Sequence, residues 1–144
     1  MSRPLRDFSR SLPMALLRAR EAVMARFRPL LRQHRVTEQQ WRVLRVLAEH
    51  GCCDGATLAQ ASCIHPASLS RILRALEARR LIRSRTSRSD SRRIDVVLTD
   101  DGHDTFTRLA AETESIYRQI EAEVGAEDLQ RALASIRRLT RVLT

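Results

Sequence analysis

The densest chemistry in this chain is cationic. Arg83, Arg85, Arg88, Arg92 and Arg93 set five guanidinium groups within eleven residues, interrupted by one carboxylate at Asp90. Just upstream, Ser68, Ser70, Arg71 and Arg74 share the outer face of a segment whose inner face is Leu69, Ile72, Leu73 and Leu76. Arginine presents a rigid fork that pairs bidentately with phosphate or with O6 and N7 of guanine, and short serines let a helix approach base edges closely. A helix so equipped suits a major groove, and a charged loop suits phosphates or a narrow minor groove. Asp90, two residues before Arg92, reads as a carboxylate that orients a neighbouring guanidinium.

Composition agrees with that reading. The 144 residues carry 26 basic side chains, every one arginine and none lysine, against 17 acidic ones, for a net charge of +9. Such a surface suits nucleic acid better than a membrane. Aromatics are only 3% of the chain, so base stacking by a single-strand binder is poorly provided for and double-stranded DNA is the expected partner. A hydrophobic fraction of 43% is enough for one core. No apolar run reaches the roughly 18 residues of a membrane span, and MSRPLRDFSRS lacks the apolar centre of a signal peptide, so a cytoplasmic protein with no membrane partner is expected.

An enzyme finds no footing: there is no glycine-rich phosphate loop, no nucleophile elbow and no paired histidine and carboxylate at helical spacing. The three cysteines, Cys52, Cys53 and Cys63, make no disulfide framework. Adjacent cysteines are also awkward joint ligands for one tetrahedral metal, so neither metal nor cofactor is expected even with His50 and His65 nearby. The alternatives kept open are a thiol- or metal-responsive regulator on the same scaffold and an architectural DNA-coating protein without a ligand.

The elements that must position these groups follow from periodicity. Residues 1–10 read as a flexible arm. A first helix after an N-cap at Ser11 carries the stripe Leu12, Leu16, Val23, Phe27, Leu30 and Leu31, with Pro29 predicting a kink or break. Thr37 and Gln40 spell a capping box for a helix from Glu38 to about His50, ended by Gly51. Cys52 to Gly55 read as a connection, Ala56 to Cys63 as a short helix, and Pro66 opens a second one to about Arg79. Two runs, Leu81–Thr86 and Ile94–Thr99, then alternate as strands around a polar tip. Helices from Thr99 to Gly125 and from Glu127 to Leu143 close the chain.

The fold class is therefore mainly α with a small β-hairpin wing. Residues 37–99 form a winged helix-turn-helix DNA-binding domain, and 11–36 with 100–144 form a helical region whose surplus apolar surface suits dimerisation.

TEQQWRVLRVL at Thr37–Leu47, IHPASLSRILRALEARRLI at Ile64–Ile82, and Asp90-Ser91-Arg92 followed by Leu98-Thr99 and Gly102 resemble the MarR family of bacterial transcriptional regulators. SLPMALLRAREAVMARFRPLL with TEQQWRVLR resembles its subgroup of repressors of homoprotocatechuate and related aromatic acid degradation. The resemblance implies a homodimer that binds a palindromic operator and releases it on binding a small hydroxylated aromatic acid. It also implies that Ser68, Ser70, Arg71 and Arg74 read the major groove and that Arg92 supported by Asp90 enters the minor groove, while the charge density of the hairpin adds Arg88 and Arg93 to the expected DNA contacts. One departure stands out, because Arg80 occupies the position where the family usually has a glycine after the recognition helix.

Arg20 lies on the apolar stripe of the first helix, where a buried guanidinium needs a partner such as Glu38 or a helix C-terminus. By the resemblance, it instead faces the carboxylate of the aromatic acid, with Ser11, Arg18 and Trp41 as the other candidate walls.

Overall fold

In the computed structural model, which describes residues 7–144, helix α1 (Leu12–Gln33) begins directly after Ser11, whose Oγ accepts the Met14 N–H at 3.4 Å. Part of the expected arm, residues 1–6, lies outside the described residues, while Phe8–Arg10 form a 3-10 turn capped by Asp7. The helix is not broken at Pro29. A proline there removes one backbone donor, but Phe27 and Leu31 on either side are buried and hold the last turn in place.

Helix α2 (Glu38–His50) has the capping box its sequence spells, with both Thr37–Gln40 bonds at 3.1 Å, and Gly51 ends it at φ +76°. Its Trp41, Val43, Leu44, Val46 and Leu47 are all buried. The segment expected to be only a connection contains a strand, β1 (Cys53–Asp54), too short to show the alternation that identifies strands. Helix α3 (Gly55–Ser62) and helix α4 (Pro66–Ala78) then make the helix-turn-helix. Strands β2 (Ile82–Thr86) and β3 (Ile94–Leu98) form the hairpin, and β1 pairs antiparallel with β3, giving the order β1-β3-β2. Helix α5 (Asp100–Val124) and helix α6 (Ala126–Leu143) follow.

The chain divides into two compact units, Arg28–Glu112 and a terminal unit of residues up to Phe27 with Thr113–Thr144. The first takes in the segment 37–99 and extends beyond it at both ends. Its helices end in a recurring way: Arg35, Cys63 and Arg80, each at φ between +54° and +59°, stand just past α1, α3 and α4. At each end the following residue reaches back across the turn, Val36 to Leu31, Ile64 to Ala59 and Leu81 to Leu76, at 2.9 to 3.1 Å. This is the Schellman closure, which glycine ordinarily serves because a side chain is strained in the left-handed conformation. Arg80 therefore adopts the geometry of the glycine it replaces, and the buried pair Leu76 and Leu81 seals the end.

The spacing of Leu98-Thr99 and Gly102 has a steric cause. A Cβ on Gly102 would lie 2.0 Å from the Leu81 carbonyl oxygen. The Thr99 hydroxyl donates to the Arg80 carbonyl at 2.6 Å and accepts the Gly102 N–H at 3.0 Å, so one side chain both starts α5 and fixes the turn after α4.

In the terminal unit, Phe27 meets Tyr117 with ring centroids 4.9 Å apart, and Arg26 pairs bidentately with Glu123 at 2.8 and 2.7 Å. Helix α6 buries no side chain in the single chain.

Candidate nucleic-acid interface

Helix α4 starts with Pro66 at its first turn, and His65 Nδ1 accepts the Ala67 N–H at 3.2 Å. Leu69, Ile72 and Leu76 anchor its inner face in the core. The opposite face presents Ser70, Arg71 and Arg74 to solvent, while Ser68 sits half-buried on the flank. The positive end of the α4 dipole and the exposed Arg71 and Arg74 together make the outer part of this helix electropositive.

The wing is a built loop. Ser87 N–H donates to the Arg93 carbonyl at 2.9 Å, Arg93 N–H donates to the Asp90 carbonyl at 3.0 Å, and the Ser87 and Ser89 hydroxyls are 3.0 Å apart. Asp90 organises the tip: its Oδ1 accepts the Arg92 N–H at 3.0 Å and lies 3.5 Å from Arg92 Nε. The Arg92 side chain still projects with 92% of its surface exposed, and Arg88 is exposed beside it. Arg85 stands opposite Asp95 across the hairpin.

Arg93 has a partner that sequence reasoning missed. Its Nη1 lies 3.6 Å from Asp54 Oδ2, while Asp54 Oδ1 caps α3 by accepting the Thr57 N–H at 2.8 Å. Hydrogen bonds from Thr57, with the Arg93 charge adding to them, hold the Asp54 carboxyl below its ordinary range. Asp54 therefore ties the wing to the first helix of the helix-turn-helix. The D-x-x-T spacing ahead of α3 is an N-cap signal that would have found half of this role.

The residues expected to wall an aromatic acid are distributed differently. Ser11 is occupied in capping α1, its hydroxyl also donating to the Phe8 carbonyl at 3.0 Å. Arg18 is exposed. Arg20 is not buried as its place on the stripe implied: its side chain is 44% exposed and lies 3.5 Å from Glu21. The stripe around it, Leu16 and Val23, is uncovered too, so the periodicity marks a face that the single chain leaves open. The expected partner Glu38 instead holds Arg28 at 2.6 Å. Trp41 belongs to the core of Arg28–Glu112, stacked on Phe106 with centroids 5.4 Å apart and planes 23° from parallel.

A cleft of about 450 Å³ at the base of the wing is lined by Arg80, Arg83, Leu98, Thr99, Asp100 and Asp101, a mixture of charges with no aromatic or extended apolar wall. Burial, with Cys52 and the carboxylates of Asp54 and Asp95 adding to it, pushes the Cys53 thiol up, so it is a poor source of thiolate. Among the described residues no group of histidines, cysteines and carboxylates could hold a metal ion, and no helix is long and apolar enough to cross a membrane.

A helix-turn-helix flanked by a guanidinium-rich hairpin, with its outer helix face open, defines a winged helix-turn-helix regulator that works on DNA. Residues 36–94 match the model of the MarR family. The chain is 42% identical over 120 residues to the homoprotocatechuate degradative operon repressor of Escherichia coli, covering 83% of this chain and 81% of that protein. Among solved structures, it is similar to the transcriptional regulator PA4135, with a TM-score of 0.87, 37% identity and 97% and 98% of the two chains covered. NadR in complex with 4-hydroxyphenylacetate is similar as well, with a TM-score of 0.80, 35% identity and coverage of 95% and 97%. The chain belongs to the MarR family, whose members are DNA-binding transcriptional regulators and not enzymes.

Proposed function

We propose that this regulator is a repressor that binds a palindromic operator as a homodimer and leaves it when a small hydroxylated aromatic carboxylic acid binds. The observation that carries the DNA part is the pairing of an open Ser70, Arg71 and Arg74 stripe with a wing tip organised so that Arg92 projects from its Asp90 support. In this reading Ser68, Ser70, Arg71 and Arg74 face the major groove, Arg92 enters the minor groove, and Arg88 and Arg93 lie along phosphates. Dimerisation uses the terminal helices, where α6 leaves Leu133, Ile136 and Val142 exposed along an amphipathic helix.

The choice of effector rests on similarity to a repressor named for homoprotocatechuate and to NadR bound to 4-hydroxyphenylacetate. A carboxylate needs a cationic donor, for which the exposed Arg20 and Arg18, on different faces of α1, are the alternative candidates. The test is thermal shift of the purified protein with homoprotocatechuate, 4-hydroxyphenylacetate and unsubstituted benzoate, each followed by titration of the DNA complex. The expected result is a raised Tm and release of DNA with the hydroxylated acids, and a weaker response to benzoate. A protein that binds its operator and ignores every hydroxylated acid overturns the effector assignment.

A further inference from the structure

We propose that Arg79, outside every contact assigned to DNA above, is a positioning residue that sets the seat of the recognition helix by tying its C-terminus to the end of α1. The proposal rests on α4 being the groove-reading helix. Arg79 is the C-cap of α4. Its guanidinium Nη1 donates to the carbonyl of Arg35, and Nη2 donates to that of His34 at 3.4 Å.

Those two carbonyls need a donor from elsewhere. The Schellman closure of α1 uses the carbonyls of Leu31 and Arg32, and the His34 N–H serves that of Leu30. His34 and Arg35 lie beyond the last helical turn, with their carbonyls at the negative end of the helix dipole. A forked cation is the fitting partner, since its rigid planar donors meet two neighbouring carbonyls in one fixed geometry. The joint has a third member: His34 Nε2 lies 3.1 Å from Glu112 Oε1 on α5. The end of α1, the end of α4 and the middle of α5 therefore meet at one residue pair, His34 and Arg35, and α4 is fixed at the end opposite the one that enters the groove.

This arrangement separates Arg79 from the arginines of the outer face. A guanidinium held by two carbonyls acts on DNA through the angle of α4, so it governs the fit to one sequence and not the number of phosphates neutralised. A duplex selected by the unmodified protein from a random-sequence pool, and the unselected pool itself, supply the two probes. For Arg79→Ala, the expected outcome is a loss of about five- to tenfold in affinity for the selected duplex. Affinity for the unselected pool stays, as does the slope of log K against log salt. Arg79→Lys falls between, because it keeps the charge and loses the fork. Arg79 is exposed, so neither variant removes core packing, and Tm is measured alongside. A slope reduced by about 0.9 marks a phosphate contact and overturns the proposal. Equal loss on both DNAs with a lowered Tm marks a general stability effect and overturns it too, as does no change on either. If the unmodified protein enriches no sequence, the groove-reading assignment of α4 fails first, and that failure is visible before any variant is made.

Discussion

The helix-turn-helix unit and the terminal unit bury their side chains on different terms. In the first, α2 alone sends Trp41, Val43, Leu44, Val46 and Leu47 into the core, and the small sheet adds Val96, Val97 and Leu98. In the second, the 18-residue α6 buries nothing, and Leu133 and Ile136 are each 43% exposed. Both are strongly amphipathic at helical spacing, so periodicity alone does not distinguish a face that is covered within one chain from a face that waits for another. One unit therefore has a core of its own, while the apolar face of α6 stays open in the single chain and would gain its hydrophobic stabilisation in the proposed dimer.

The largest effect should come from breaking the second region and sparing the first. Leu133→Glu with Ile136→Glu places two charges on the apolar face of α6. The expected result is a monomer by sedimentation, with affinity for the palindrome lowered by about a hundredfold or more, because binding at one half-site no longer supports binding at the other. Far-UV circular dichroism should keep the signal of the winged unit. A variant that stays dimeric would assign the interface elsewhere.

A smaller effect concerns the helix ends. Between α5 and α6 the terminal unit uses Gly125 at φ +96° and ψ 134°, a conformation open essentially to glycine, whereas the winged unit ends α4 with Arg80 at φ +59° in a Schellman turn. Arg80→Gly should stabilise the protein against urea by about 1 kcal/mol, since it removes left-handed strain without disturbing a buried side chain. A loss of stability would mean that the Arg80 side chain holds something the backbone geometry does not show.

A pH dependence should be smaller still. Because Thr57 and Arg93 hold the folded Asp54 carboxyl below its ordinary range, the stabilisation it gives is complete above the unfolded aspartate value of about 4 and is lost as pH falls through the folded value. Asp54→Asn keeps an N-cap and removes the charge. The urea midpoint of the variant should therefore lie below that of the natural chain by a constant amount at neutral pH, and the gap should close on acidification. A gap that widens in acid would contradict the assigned direction.

What the sequence makes legible is local. The Thr37–Gln40 box, Gly51 and Pro66 act within a few residues, and each appears in the structure where the pattern places it; β2 and β3 appear as strands too, although their burial runs in blocks and does not alternate. The stripe of Ser70, Arg71 and Arg74 was legible for the same reason, as helical spacing fixes which side chains share a face. Strand β1 was not, because two residues carry no period and its pairing depends on β3, far along the chain. Arg20 misled because position on a stripe predicts burial only if something covers the stripe. The Arg93–Asp54 pair and the Arg79 joint bring together residues distant in the chain, and no local pattern announces either. At Arg80 the sequence showed the substitution, and only the backbone showed that the glycine geometry survives it.

If the wing and the outer face of α4 form one duplex-reading surface with Arg92 at its tip, removing that tip must show in both the strength and the salt dependence of binding. The decisive comparison is the affinity of the natural chain and of Arg92→Ala for the selected duplex across a series of salt concentrations. Weaker binding is expected for the variant, with the slope of log K against log salt reduced by about 0.9 for each phosphate that the two wings of the dimer no longer neutralise. Unchanged affinity with an unchanged slope would contradict the shared surface.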